Sequence, residues 1–155
     1  MLRFPHLWTL VRLSLEMAAH PPDVLFVPAH VLPPVHPRAS VVTIHDLGYL
    51  YEPAYHPPVQ RLYLDLSTRW SARAAHSLVA DSGATKLDLV ARYGVAAGKI
   101  TVAYPGVAAD LRPVTDLTQI ETVTSRYGIE RPYFLYLGTL QPRKNLSRLI
   151  EAYAG

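Results

Sequence analysis

The chain contains no cysteine. Disulfide bonds and thiolate chemistry are therefore excluded, which fits a reducing compartment. The expected location is the cytoplasm, including the inner face of a membrane. Charge is also sparse. Only 17% of the 155 residues are charged while 50% are hydrophobic, a balance that excludes a disordered chain and leaves room for a real core. No apolar run approaches the roughly 20 residues needed to span a bilayer. The opening stretch "MLRFPHLWTLVRLSLEMAAH" has a basic residue and apolar character, but Arg12 and Glu16 interrupt it. It is followed by "HPPD" rather than a small-residue cleavage site. Neither G-x-G-x-x-G nor G-K-[ST] occurs, nor a nucleophile elbow, a serine with a partnered histidine, or an acidic D-x-D. No metal and no cofactor are expected. The net charge of +3 is mostly arginine; it attracts anionic ligands mildly and is too small to argue for nucleic acid.

What is present is an alternation of helices and apolar strands, with no internal repeat or low-complexity block. Leu7, Leu10, Val11, Ser14, Leu15 and Ala18 follow helical spacing, with Arg12, Glu16 and His20 opposite. The prolines of "HPPD" stop that helix. "VLFVP" and "SVVTIHD" read as strands covered on both faces. The stretch "AHVLPPVHPRA" between them is proline-rich and irregular. Val59, Leu62, Tyr63, Leu66 and Trp70 form a second apolar stripe, opposed by Arg61, Asp65 and Arg69. "HSLVADS" delivers Ser82 as the cap of a helix that Gly94 stops, and "KITVAYPG" is a fourth strand. A helix over 116–127 and a fifth strand in "RPYFLYLG" complete the pattern. Four parallel strands are expected over 24–28, 41–45, 77–80 and 100–104. The segment 133–138 is expected to begin a second sheet, with the boundary between 110 and 128. The fold class is α/β, a partial Rossmann-like, doubly wound parallel sheet followed by the first strand and helix of a second such domain.

Ligands of such sheets collect at the carboxyl ends of strands. His45 and Asp46, in "TIHD", sit at one such exit. Adjacent residues there point to opposite sides, so they are not expected to pair with each other. An ordinary role, with His45 bonding a loop and Asp46 capping the next turn, competes with a catalytic one. The remaining histidines (His6, His20, His30, His36, His56, His76) read as surface or packing residues. The second candidate lies in "GTLQPRKNL". Gly138 leaves a strand, Arg143 and Lys144 supply positive charge, and Asn145 opens a helix whose N-terminus favours an anion. A solvated basic loop before a capped helix is the ordinary alternative.

Together, "VVTIHDLGYL", "ARAAHSLVADSGATKLDLVARYGVAAGKITVAYPGV" and "YFLYLGTLQPRKNLSRLIEAYA" resemble, in order, the signatures of retaining glycosyltransferases of the GT-B fold. The resemblance is to glycosyltransferase family 4, mannosyltransferase-like, and runs from about Leu7 to the last residue. It implies a donor-binding and an acceptor-binding Rossmann-like domain with chemistry in the cleft between them. On that frame 1–115 is a partial acceptor-side domain, 116–130 a linker and connecting helix, and 131–155 the start of the nucleotide-sugar domain. The chain then reads as a fragment lacking both ends, and the family's paired-glutamate motif falls beyond Gly155. Two departures stand out: Thr139 replaces a phosphate-binding arginine common in relatives, and "YPGV" replaces "PNGV".

The resemblance further implies transfer of a mannose-like sugar from a nucleotide diphosphate sugar, with retention, to a polysaccharide or lipid-linked acceptor. No protein nucleophile is implied; the leaving diphosphate assists the acceptor. Gly138, Arg143, Lys144 and Asn145 then hold the nucleotide sugar, with the two cations neutralising the departing diphosphate. His45 positions the donor sugar or stabilises positive charge at its anomeric carbon, and Asp46 orients His45 or shapes its loop. Peripheral membrane contact and self-association through an open sheet edge are further expectations. The competing reading is a non-catalytic α/β module, or a truncated gene product acting only through interactions.

Overall fold

The computed structural model describes residues 8–130 and 132–154, with the side chains of Trp8 and Arg143 outside that description. Leu7 of the first helical pattern and His6 lie outside the described residues. The chain divides into two compact units, one ending at Pro105 and the other beginning at Gly106.

The first unit opens with a π-helical turn, Trp8–Arg12, that runs into α1 (Leu13–Ala19). Strand β1 (Leu25–Val27) and strand β2 (Ser40–Ile44) follow. Next come a one-turn helix α2 (Gly48–Tyr51) and the long helix α3 (Pro58–Ala74). Strand β3 (Ser77–Ala80), helix α4 (Gly83–Tyr93) and strand β4 (Ile100–Val102) complete it. The four strands are all parallel and lie in the order β1-β2-β3-β4. Val42, Ile44, Leu78 and Ala80 are fully buried and Thr43 nearly so, which shows both faces of the central strands covered. That is why these strands read as unbroken apolar runs. Ser82 caps α4, accepting the Thr85 N–H at 3.1 Å, and Gly94 ends it in the left-handed conformation at φ 65°.

The connection 28–39 crosses from β1 to β2 with no helix in it. Its prolines offer no N–H, so the donors and acceptors it does have need partners from elsewhere. Helix α3 supplies them. Ser71 Oγ donates to the His30 carbonyl (2.7 Å) and accepts the Leu32 N–H (3.0 Å), while Trp70 Nε1 donates to the Leu32 carbonyl (3.0 Å). Leu32 and Pro33 are fully buried beneath these bonds.

This pinning fixes the rotation of α3. The face turned inward is the small one: Ser67, Thr68, Ser71 and Ala72 are buried. The apolar stripe faces solvent instead, with Val59 81%, Leu62 60%, Leu66 56% and Trp70 42% exposed. Small side chains let the helix approach the connection closely enough for Ser71 to bond its backbone; leucine on that face would hold it away. α1 buries Ser14 and Met17, while Leu15, and Val11 in the turn before it, are exposed. Ser14 Oγ bonds the Leu10 carbonyl at 2.7 Å and receives the Val35 N–H at 3.4 Å.

In the second unit, Asp116 caps helix α5 (Leu117–Arg126) through the N–H groups of Thr118 and Gln119 (2.9 and 3.4 Å). Gly128, at φ 61°, closes it, with Ile129 N–H on the Thr124 carbonyl (2.9 Å). A 3₁₀ turn, Pro142–Lys144, leads into helix α6 (Leu146–Ala154). The expected fifth strand is absent: 133–138 carries no strand pairing. A strand exists through its ladder, and none forms among the described residues of this unit. Phe134 instead stacks edge-on against Tyr153 of α6, centroids 5.3 Å apart.

Candidate functional site

The register of the sheet builds the first site. Ile44 pairs with Ala80, so the next residues along, His45 and Asp81, leave the sheet side by side. His45 Nδ1 meets Asp81 Oδ2 at 2.6 Å, and Nε2 meets the carbonyl of Pro28, just past β1, at 2.8 Å. One imidazole thus ties together the carboxyl ends of three strands. Both partners can only accept, so both contacts are hydrogen bonds only when His45 carries two protons. The Asp81 hydrogen bond raises the His45 pKa above the usual imidazole value, the Pro28 carbonyl and the charges of Asp81 and Asp46 add to this, and burial works against it.

His30 is the complement of this cation. Its Nε2 accepts the backbone N–H of His45 at 2.9 Å, which requires that nitrogen to be unprotonated. Burial lowers the His30 pKa, and the adjacent His45 charge lowers it further. The rings lie 5.4 Å apart, tilted by 37°. The surroundings bias the pair in opposite directions, His45 toward the charged form and His30 toward the neutral one. An apolar groove of about 570 Å³ ends at these two histidines, running along the edge strand β1 past Leu25, Val27 and Leu13.

Asp46 does not contact His45. Its Oδ1 accepts the Gly48 N–H at 2.8 Å, shaping the entry to α2. Of the two roles the sequence offers it, this geometry is the loop-shaping one, and the orienting carboxylate is Asp81. Sequence reasoning missed Asp81, His30 and the Pro28 carbonyl. The signal for Asp81 was available: "TIHD" and "VADS" are consecutive strand exits, and neighbouring parallel strands set their exits side by side.

Farther along, α2, α3 and α4 are tied by a polar chain. Tyr49 and Tyr93 hydroxyls meet at 2.6 Å, Tyr93 donates to Asp65 (2.9 Å), and Arg69 Nε donates to the same carboxylate (2.8 Å). The Arg69 bond holds the Asp65 pKa below the ordinary value.

The second candidate stands differently in the structure. Gly138 has φ 157°, and a Cβ there would lie 2.7 Å from the Tyr136 hydroxyl, which itself donates to the Thr139 carbonyl at 3.0 Å. The N–H groups of Lys144 and Asn145 are taken within the 3₁₀ turn, by Gln141 and Pro142 carbonyls at 2.9 and 3.0 Å. Asn145 adopts φ 53° and opens α6 through its carbonyl, which accepts Leu149 N–H (3.3 Å); no side-chain cap from it is present among the described residues. Lys144 is exposed, and the Arg143 side chain lies outside the described residues. Among the described residues no cluster of three or more His, Cys, Asp or Glu could hold a metal ion.

A parallel α/β sheet with its polar cluster at the carboxyl ends of adjacent strands is the arrangement of a ligand-binding Rossmann-like unit. Residues 2–111 match the model of Glycosyltransferase Family 4, and the chain belongs to that family. It is also similar to the O-antigen chain mannosyltransferase B of Escherichia coli, with 27% identity over 114 residues. That match covers 74% of this chain and 30% of the relative, so the chain spans under a third of that protein's length. No solved structure matches.

The His45 pair carries a direct prediction. Asp81→Asn removes the largest raising influence on His45, so its titration midpoint, read by NMR of the ring nitrogens, is expected to fall. For stability the signs oppose. A raised His45 pKa stabilises the fold below the unfolded imidazole value and loses that contribution as pH rises through its folded pKa. The depressed His30 pKa stabilises above the unfolded value and loses its contribution as pH falls. The expected result is therefore a wild-type advantage over Asp81→Asn that is larger near pH 6 than near pH 8. An unmoved His45 midpoint in the variant refutes the assignment.

Proposed function

We propose that this chain serves a retaining GT-B glycosyltransferase, moving a mannose-like sugar from a nucleotide diphosphate sugar to a polysaccharide or lipid-linked acceptor. The observation that supports it most is the His45–Asp81–Pro28 clamp at the strand exits of a unit matched to Glycosyltransferase Family 4. In this reading 1–115 belongs to the acceptor side and 131–155 begins the nucleotide-sugar side, joined by 116–130, with the chain forming a piece of the complete enzyme. Work at the cytoplasmic face of a membrane, and self-association through the β1 edge, belong to the same proposal.

Of the two roles the resemblance gives His45, positioning the donor is the one its surroundings favour. An imidazolium repels a developing positive charge at an anomeric carbon, so it does not stabilise one. Arg143 and Lys144 then neutralise the diphosphate from the second unit, and Gly138 and Asn145 shape the backbone around them. The test is transfer of labelled sugar from a panel of nucleotide diphosphate sugars to lipid-linked glycan acceptors, using a family-length polypeptide that carries this chain. Retained anomeric configuration in the product supports the reading; hydrolysis or transfer with inversion rejects it.

A further inference from the structure

Helix α3 turns its small residues to the core and its large apolar residues to solvent, the reverse of an ordinary surface helix. Val59, Leu66 and Arg73 are spaced seven apart and so lie along one line, with Leu62 and Trp70 beside it. The same side borders an apolar groove of about 310 Å³, lined by Leu10, Val31 and Pro34 together with Leu66 and Trp70. An apolar face of this extent marks a surface that something covers.

The charges on α3 say what kind of surface fits. Its ionic residues are Arg61, Arg69 and Arg73 against Asp65 alone. Asp65 is already engaged, by Arg69 Nε at 2.8 Å and the Tyr93 hydroxyl at 2.9 Å. Among the described residues Arg61 and Arg73 are in no ion pair, and both are exposed. A second copy of the chain meeting this face would bring arginine helix against arginine helix, with no spare carboxylate on α3 to balance them. An anionic lipid surface supplies apolar depth for Val59, Leu62 and Leu66 together with negative charge for Arg73, which lies in line with Val59 and Leu66. Trp70 suits the boundary, with its indole N–H already satisfied by the Leu32 carbonyl.

We infer that the outward face of α3 is a docking surface for an anionic bilayer, with the helix lying in the plane of the interface. This deepens the proposed membrane contact by naming the surface that makes it. It does not depend on sugar transfer, and lipid binding is scored separately, so either reading can fail while the other stands.

The test is flotation of the chain with vesicles of phosphatidylcholine alone and with vesicles in which roughly a third of the lipid is phosphatidylglycerol. The chain is expected to float with the anionic vesicles only, and to release as salt is raised. Leu66→Asp and Arg73→Glu, both at exposed positions, are each expected to weaken partitioning by about tenfold or more while leaving the thermal melt in place. Three results overturn the inference. The first is no flotation, or flotation that neither variant changes. The second is a wild-type dimer in sedimentation that Leu66→Asp dissociates, which gives the face to a second copy. The third is a family-length polypeptide that fails to float when the shorter chain does, which gives the face to the rest of the protein.

Discussion

Leu78→Ala is expected to cost about 3 kcal/mol of folding stability, within the range for deleting a fully buried leucine from a site that cannot collapse. Leu78 has no exposed surface and sits in β3, with Val42 paired on one side and Ile100 on the other. Both neighbouring backbones are fixed by their ladders, so the space left by the side chain stays largely empty. A domain of this size has a total stability of about 5–15 kcal/mol, so the loss is a large share of the whole. Leu87→Ala, at a position 70% exposed on α4, is the matched control and is expected to change stability by about 0.5 kcal/mol or less. Urea or thermal melts of the two variants decide it. Equal effects from the pair refute this account of the core.

The second large effect concerns catalysis. In a family-length polypeptide carrying this chain, Lys144→Ala is expected to lower sugar transfer about a hundredfold, close to 3 kcal/mol for one lost preorganised charge contact. It also weakens nucleotide diphosphate binding, because the diphosphate is present in substrate and product alike. His45→Ala is expected to lower turnover while leaving that affinity nearly intact, since His45 belongs to the other unit. Transfer kinetics together with nucleotide diphosphate titrations separate the two patterns. Unchanged turnover in both variants returns His45 to a clamp on strand ends and Lys144 to a solvated turn.

How much of this was legible in the sequence depends on how local the determinant is. The four parallel strands, the Ser82 cap and the Gly94 stop follow from patterns a few residues long, and the structure has them at or within two residues of the expected positions. The rotation of α3 was not legible. Its hydrophobic stripe is plain from the spacing, but a partner 38 to 41 residues away, the connection from His30 to Leu32, decided which face turned inward. Periodicity finds a helix and its two faces; which one turns inward belongs to the neighbour. The His45 partner was missed for a related reason. Asp46 is adjacent in sequence and Asp81 is adjacent in space, and only the pairing of β2 with β3 makes the second the relevant carboxylate. The strand expected over 133–138 shows the limit most directly, since apolar β-favouring residues become a strand only when another segment lies alongside.

The sequential strand order has a consequence for how the chain leaves the ribosome. Each strand pairs with the one made just before it, so the sheet can grow in the direction of synthesis. Pairing of β1 with β2 becomes possible once Ile44 has emerged. The backbone groups of His30 and Leu32 in the connection between them, however, find their partners on Trp70 and Ser71. For as long as translation takes to add the intervening residues, the proline-rich segment is tethered at both ends and unsatisfied in the middle. That interval is when a nascent chain of this kind is most open to chaperones, and slow codons between Ile44 and Trp70 lengthen it.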